Sequence, residues 1–163
     1  MNKQLLIIRR WLIFFMISLF LSGLTAIPAE AGLNFLCGLF PLHSTVGDWL
    51  DTVYRGVHAT NQQYPFIAYG YDWLAFAHFI LAILFIGPYQ DPVRNKWVLE
   101  FGMIACLLIL PFALVAGESR GIPLWWRLID CAFGLIGLIP LGICLKRTYA
   151  VEREQQKQLA HEN

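Results

Sequence analysis

The sequence predicts an all-α membrane protein, a four-transmembrane-helix bundle with an outer interfacial amphipathic segment. Of its 163 residues 58% are hydrophobic and 14% are charged, whereas a soluble domain is nearer half apolar and a quarter charged. The apolar residues fall into four blocks, each close to the roughly 20 residues that a helix needs to cross a bilayer. Because backbone groups in lipid must bond within their own segment, each block is predicted to be a helix.

The chain is predicted to form a single membrane domain over residues 1–163. An outer loop at 28–65 separates the first two spans, and a polar cytoplasmic tail at 146–163 follows the last one. The four predicted spans cover about residues 11–27, 66–87, 97–117 and 124–144.

The outer loop is itself partly apolar. Its segment AGLNFLCGLFPL is too short to span a bilayer and too apolar for solution, so we expect it at the membrane interface. In the following segment, VGDWLDTVYRGVH, apolar side chains recur at helical spacing opposite charged ones, which predicts a short amphipathic helix on the outer leaflet. The apolar face of that helix would consist of Trp49, Leu50, Val53, Tyr54 and Val57.

The basic residues that flank the spans predict the orientation of the chain. Nine lie on the side of the two termini and three on the other side. Because cytoplasmic loops carry the excess of lysine and arginine, both termini are expected in the cytoplasm. The nine are Lys3, Arg9, Arg10, Arg94, Lys96, Lys146, Arg147, Arg153 and Lys157, and the three are Arg55, Arg120 and Arg127.

The first block also has the parts of a cleavable signal peptide: a basic start, an apolar stretch and the small-residue site Ala29–Glu30–Ala31. Its apolar stretch of about 17 residues is longer than the usual signal core. We therefore expect a retained anchor. Cleavage remains the alternative, and it would leave three spans in the same orientation.

Two further patterns concern the last two spans. Pro111 is expected to kink the third span, because proline removes one helical hydrogen bond. In the fourth span Gly134, Gly137 and Gly142 stand among large aliphatic residues, and such small residues allow helices to approach closely. Beyond Lys146 we expect a helical extension that frays towards Asn163.

A few polar residues lie inside the predicted spans, where an ionisable side chain costs roughly 2.5–3.5 kcal/mol. Asp72 and Asp130 are each about 9 Å from the outer end of their span, and His78 is about 18 Å deep. These depths predict a polar pocket near the outer leaflet, and the alternative is a salt bridge that clamps two helices, with Arg127 joining Asp130 and Asp72. The candidate pocket residues are Tyr71, Asp72, His78, Arg127 and Asp130.

His78 has three interpretations: a hydrogen bond to a neighbouring helix, haem ligation or proton relay. No histidine lies at matching depth in another span, and the four cysteines form neither a C-x-x-C pair nor a zinc spacing. We therefore expect no cofactor and no metal. Glu100, near the cytoplasmic end of its span, is expected to be solvated or to pair with Arg94 or Lys96.

Three runs, GYDWLAFAH, FIGPYQDPVRNKWVLEFGMIAC and AGESRGIPLWWRLIDCAFG, resemble an uncharacterised family of small bacterial inner-membrane proteins. The resemblance covers residues of about 28–145. It implies a bacterial origin and a multi-pass location in the cytoplasmic (inner) membrane, and it carries over no catalytic residue.

Function remains open between several classes at this point. The leading hypothesis is a small protein that binds a lipid or small ligand, or a subunit of a membrane complex, with membrane lipid, a second copy or another membrane protein as partner. The alternative is an intramembrane enzyme acting on a lipid or isoprenoid-like substrate, with Asp72, His78 and Asp130 as acid–base groups. A transporter is a third reading, and four spans would require oligomers. The net charge of +1 excludes a strongly basic nucleic-acid module, and motifs of soluble hydrolases and nucleotide enzymes are missing.

Overall fold

A computed structural model describes residues 3–41 and 43–162, without the side chains of residues 161 and 162, and this part of the chain is helical with no strand. A short 3₁₀ turn at Pro65–Ala68 precedes the fourth α-helix. Leu42, the last residue of the segment AGLNFLCGLFPL, lies outside the described residues. The α-helices are α1 (Lys3–Ala26), α2 (Ala29–Leu39), α3 (Thr45–Gln63), α4 (Tyr69–Leu84), α5 (Ile86–Gln90), α6 (Lys96–Ser119) and α7 (Leu124–Glu162).

Four helical segments are long and apolar enough to cross a membrane, which agrees with the predicted number of spans. Helix α1 begins at Lys3, whereas the first span was predicted from about residue 11. Helix α7 continues past Lys146 to Glu162, in agreement with the predicted helical extension. The tail lacks glycine and proline and is rich in strong helix formers, so nothing in it ends the helix. The four segments are Lys3–Ala26, Pro65–Gln90, Lys96–Ser119 and Leu124–Ala160.

The chain divides into two compact units, which we describe separately. The hairpin unit comprises residues 1–17 and 82–163, and the cleft unit comprises residues 18–81. The boundaries between the units fall inside α1 and α4.

The hairpin unit is built around α6 and α7, which are joined by a tight turn. Gly121 has a φ of +69°, a left-handed conformation that glycine adopts without steric cost. Its backbone N–H donates to the Glu118 carbonyl, and the N–H of Ile122 donates to the Gly117 carbonyl. This pair of bonds is the Schellman motif that ends α6 and returns the chain into α7.

Close backbone approach holds α6 against α7. A Cβ atom added at Gly134 would lie 2.5 Å from the Cys106 carbonyl oxygen, and one at Gly137 would lie 2.9 Å from the Cys106 sulfur. The predicted packing role is therefore confirmed for these two glycines. It is wrong for Gly142, because nothing lies within 4 Å of a Cβ atom placed there. Pro111 lies inside α6, which continues as one helix from Lys96 to Ser119.

Most buried apolar side chains of the described chain belong to the hairpin unit. Leu99, Leu141 and Cys144 are each 0% exposed, and the first half of α1 contributes Ile8 and Leu12 to the same unit, also at 0%. The Cys144 thiol contacts the Ile8 carbonyl oxygen at 3.6 Å. All four cysteines are free thiols, and Cys106, Cys131 and Cys144 are buried.

The cleft unit contains the second half of α1, the helices α2 and α3, and most of α4. Ser44 caps α3, because its hydroxyl oxygen accepts a hydrogen bond from the N–H of Gly47 at 3.0 Å. The predicted amphipathic helix is confirmed within α3, where Leu50 is 2% exposed and Arg55 faces outward to pair with Asp51. Helix α1 touches α4 at Gly23, where an added Cβ atom would lie 2.9 Å from the Ala75 carbonyl oxygen.

Candidate functional site

A cavity of about 420 Å³ lies wholly within the cleft unit. It is open to the surroundings, and its wall comes from the junction of α1 with α2, from α3 and from the start of α4. Its lining residues are Ile27, Pro28, Ala29, Glu30, Ala31, Asn34, Tyr54, Asn61, Ala68 and Tyr71. Half of these side chains are polar, which is the mixed lining of a site for a ligand with both apolar and polar parts.

Glu30 is the central polar group of this cleft. Its Oε1 accepts a hydrogen bond from His58 Nδ1 at 2.6 Å, and its Oε2 accepts one from Asn61 Nδ2 at 2.7 Å. Glu30 stands in the first turn of α2, where a negative charge is favoured by the helix dipole. The two bonds tie the start of α2 to α3.

The same bonds favour the ionised form of the carboxyl group. Hydrogen bonds from His58 and then from Asn61 lower the pKa of Glu30 below its usual value of 4.5, against a smaller opposing effect of burial. Glu30 is therefore a carboxylate at neutral pH, with both oxygen atoms engaged.

Tyr54 completes the α3 wall of the cleft. Its ring stacks on the imidazole of His58, with ring centroids 5.8 Å apart and planes inclined by 23°. Tyr54, His58 and Asn61 follow one another at spacings of four and three, so they share one face of α3. The stacking helps to orient the imidazole of His58 towards Glu30.

Asn61 has one polar atom without a partner. Its Nδ2 must be the atom that faces Glu30, because a carboxylate only accepts hydrogen bonds. Its Oδ1 is then fixed on the other side, where it is buried and has no hydrogen-bond partner. An unsatisfied buried acceptor costs about 1–3 kcal/mol, so this atom is a natural acceptor for a donor group on a bound molecule.

Tyr71 alone of the five sequence-predicted pocket residues lines this cleft. Asp72, its neighbour in α4, is exposed and lies beside the exposed aromatic side chains of Tyr69, Trp73 and Phe76 in a smaller cavity of about 220 Å³. Within the cleft unit, Asp72 therefore belongs to a different face of α4 from Tyr71.

His78 lies apart from the cleft as well. Its Nδ1 donates to the carbonyl oxygen of Leu74, one turn earlier in its own helix, at 2.8 Å. A Cβ atom at Gly23 of α1 would lie 2.8 Å from the Cβ of His78, so the histidine stands where α1 and α4 meet. The hydrogen bond that we expected with a neighbouring helix is made within α4. The described residues contain no group of His, Cys, Asp and Glu side chains that is able to hold a metal ion.

Arg127 binds α6 and makes no ion pair with Asp130. Its NH1 donates to the Leu114 carbonyl oxygen at 2.9 Å and to Glu118 Oε2 at 3.3 Å, and only 14% of the side chain is exposed. The stem of Arg127 crosses Gly117, where a Cβ atom would lie 2.5 Å from the arginine Cδ. Because Gly117 has no side chain, the Arg127 side chain is able to pass over it and reach the α6 backbone. The predicted bridge from Arg127 to Asp72 stays a prediction, since the two belong to different units.

A second polar cluster lies in the hairpin unit, at the Lys96 end of α6. Lys96 Nζ donates to both oxygens of Glu152 at 2.8 and 2.9 Å, and lies 4.7 Å from the ring centre of Tyr149. The hydroxyl of Tyr149 donates to Glu100 Oε1 at 3.0 Å. Glu100 therefore bonds to the Tyr149 hydroxyl, whereas we expected it to be solvated or to pair with Arg94 or Lys96.

Sequence reasoning missed Glu30, His58 and Asn61. Glu30 was noticed only as the middle residue of a signal-cleavage pattern, and the other two fall in the 28–65 loop. The available signal was the spacing of Tyr54, His58 and Asn61 along one face of an amphipathic helix. Comparison with protein-family models, with curated proteins and with solved structures finds no match. The resemblance to a bacterial inner-membrane family stays a prediction, and function has to be argued from the site.

Proposed function

We propose that the chain is an integral membrane protein that binds the polar head group of a lipid in the cleft between α2, α3 and the start of α4. The observation that carries the proposal is the buried Oδ1 of Asn61, which lacks a hydrogen-bond donor beside a cavity of about 420 Å³. A head group with a hydroxyl or amino group supplies that donor. The phenol groups of Tyr54 and Tyr71 offer further polar contacts in the same wall.

The position of the cleft along the chain favours a lipid over a fully soluble ligand. Ile27 and Pro28 follow the apolar helix α1, and Ala68 and Tyr71 open the next apolar segment. The cleft therefore stands at the ends of two segments that are able to span a membrane, at the level where lipid head groups lie. Its alanine and isoleucine lining suits the glycerol region next to a head group.

Orientation and location are part of the proposal. The excess of basic residues on the side of the two termini supports cytoplasmic termini and an outward-facing cleft. The bacterial inner membrane is proposed from the resemblance alone. A single cysteine at Thr45 should react with a membrane-impermeant reagent added outside, and one at Asn95 should not. The reverse labelling pattern contradicts the orientation.

We also propose that the amino-terminal segment stays attached. Ile8 and Leu12 are each 0% exposed, so cleavage after Ala31 would remove two buried side chains from the hairpin unit and Glu30 from the cleft. Sequencing of the purified protein tests this directly. A mature chain that starts at Gly32 contradicts it.

An enzyme remains the second candidate, because a hydrogen-bonded carboxylate–histidine pair beside a cavity is the usual arrangement of a general base. In this cleft both oxygens of Glu30 are engaged, and His58 is not among the lining residues. These two observations favour binding. The acid–base roles predicted for Asp72, His78 and Asp130 stay predictions, as do a second copy or another membrane protein as partner.

The binding proposal is tested by native mass spectrometry of the full chain, which detects any lipid that remains bound through purification. Two matched pairs of variants separate the cleft from its surroundings. Tyr71→Phe removes a cleft hydroxyl, and Tyr69→Phe removes one outside the cleft in the same turn of α4. Asn61→Leu removes the unpartnered acceptor, and Gln62→Leu makes a comparable change at an exposed neighbour.

We expect a lipid adduct on the wild-type protein and on Tyr69→Phe and Gln62→Leu. Its occupancy should fall about threefold to tenfold in Tyr71→Phe and Asn61→Leu, the range expected for loss of one hydrogen bond of about 0.5–1.5 kcal/mol. Equal occupancy in all five proteins contradicts the proposal. Conversion of the bound lipid into a product of different mass would favour an enzyme instead.

A further inference from the structure

A third cavity, of about 400 Å³, lies in the hairpin unit, and most of its lining residues are basic. It begins where the apolar part of α7 ends, at Leu145, and three of its five lining residues are cations. The lining residues are Lys146, Arg147, Tyr149, Ala150 and Arg153. We call this cavity the basic cleft.

No acidic side chain stands among the five residues that line the basic cleft. Arg147 NH1 donates to the amide oxygen of Gln4 at 2.9 Å, which is a neutral partner. The ion pairs formed within the described part of the chain include none of Lys146, Arg147 and Arg153. Lys96, nearby on α6, is by contrast held by the carboxylate of Glu152. The basic cleft therefore has room and charge for an anion.

An apolar stripe continues from the basic cleft along the same face of α7. Leu135 and Ile139 are 52% and 57% exposed, and lie eleven and seven residues before Lys146, on the helical face of that lysine. Between them and Lys146 stands Gly142, where nothing lies within 4 Å of an added Cβ atom. The stripe extends about 16 Å from Lys146 to Leu135 at 1.5 Å per residue, about half of a 30 Å hydrocarbon layer.

We propose that the basic cleft binds the phosphate of an anionic phospholipid, with one acyl chain along the Leu135–Ile139–Gly142 stripe. Lys146 and Arg153 are seven residues apart on one face, so both reach a single phosphate from opposite sides. The open position at Gly142 accommodates the glycerol region directly below. This site is independent of the cleft around Glu30, because all of its residues belong to the hairpin unit.

Tyr149 gives the basic cleft a fixed wall. Its hydroxyl is held by Glu100 and its ring by the ammonium group of Lys96, so the side chain is anchored on two sides. Because the Tyr149 side chain is already held in place, less conformational entropy is lost when a ligand binds. The cluster of Lys96, Glu100 and Glu152 thus positions Tyr149. Its lysine is already paired with Glu152 and adds no unpaired positive charge to the lipid site.

The test uses the full chain in a neutral detergent, titrated with phosphatidylglycerol and observed by native mass spectrometry. The double variant Lys146→Gln/Arg153→Gln removes two cations from the cleft. The double variant Arg94→Gln/Lys157→Gln removes the same charge from exposed positions outside it. A third variant, Gly142→Leu, fills the stripe and leaves every charge in place.

We expect the cleft double variant to bind phosphatidylglycerol at least about tenfold more weakly, since each basic residue near an anionic head group contributes roughly fivefold. The control double variant should stay within about twofold, and Gly142→Leu should weaken binding without changing its salt dependence. Equal affinity of both double variants overturns the proposal. Full competition by inorganic phosphate, or undiminished binding to Gly142→Leu, overturns the lipid assignment in favour of a free phosphate site.

Discussion

The hairpin unit and the cleft unit are stabilised in different ways. In the hairpin unit, side chains such as Leu99 and Leu141 are fully buried and the α6 and α7 backbones touch at Gly134. In the cleft unit few apolar side chains are buried, and α2 is tied to α3 by the polar bonds of Glu30. Tight helix packing is the main source of stability between apolar helices in lipid. Packing of α6 against α7 therefore stabilises the hairpin unit, whereas the cleft unit is built around the polar contacts of Glu30.

The largest effect should follow from Leu99→Ala in α6. Leu99 is 0% exposed, and removal of a buried leucine side chain leaves a cavity that typically costs about 2–5 kcal/mol. Leu108→Ala makes the same change in the same helix at a position that is 60% exposed. Thermal unfolding in detergent should show a large loss of stability for Leu99→Ala and little for Leu108→Ala. Similar losses for both variants contradict a buried hairpin core.

A smaller loss should follow from Gly134→Ala. The added methyl group would meet the Cys106 carbonyl oxygen at 2.5 Å, and overpacking of this kind costs about 1–3 kcal/mol. Gly142→Ala adds the same group to the same helix in open space. Its melting temperature should not fall below that of the wild type, because alanine is a better helix former than glycine. If Gly134→Ala does not melt below the wild type either, the close contact of α6 and α7 does not exist.

In the cleft unit, Glu30→Gln should loosen α2 from α3 without affecting the hairpin unit. A neutral amide cannot accept two charge-assisted hydrogen bonds, so the bonds from His58 and Asn61 weaken. Amide hydrogen exchange should become faster in residues 29–63 and stay unchanged in α6 and α7. Asp51→Asn is the control, since it disrupts an exposed ion pair with Arg55 in α3 and should change exchange little. Faster exchange throughout the chain argues against two separate units.

The smallest effect concerns pH. The pKa of Glu30 is lowered in the folded state, mainly by the hydrogen bond from His58. Its stabilising contribution is therefore complete above the usual value of 4.5, and it is lost as the pH falls through the lowered folded-state pKa. Exchange in residues 29–63, corrected for the intrinsic pH dependence of exchange, should rise in this acid range for the wild type. The Glu30→Gln variant should lack that rise. If the variant shows the same rise as the wild type, a group other than Glu30 causes it.

The sequence predicted local structure well and tertiary partners poorly. The four spans follow from the length of the apolar blocks, and the amphipathic helix α3 follows from hydrophobic periodicity. Each segment carries both signals in its own residues. The partner of Arg127 does not follow in that way. Asp130 is nearer in sequence, yet the route across Gly117 directs the guanidinium group to Leu114 and Glu118.

The candidate site shows the same limit. Tyr71 was predicted to share a pocket with Asp72 and Asp130, and the cavity that it lines is instead the cleft around Glu30. Glu30 was not predicted, because its importance depends on α2 and α3 meeting at His58 and Asn61. The two contacts join pairs of residues that are 28 and 31 positions apart in the chain. Helical periodicity gives no information over such a separation.

The contrast between a packed hairpin core and a lipid head-group site around Glu30 is tested most directly by hydrogen exchange on delipidated protein. The lipid species whose occupancy falls in Asn61→Leu would be added back to the wild type and to that variant. We expect slower exchange of wild-type residues 29–63 on lipid addition, no change in the central turns of α6 and α7, and no response in Asn61→Leu. Equal protection of both units, or protection that survives in Asn61→Leu, would contradict it.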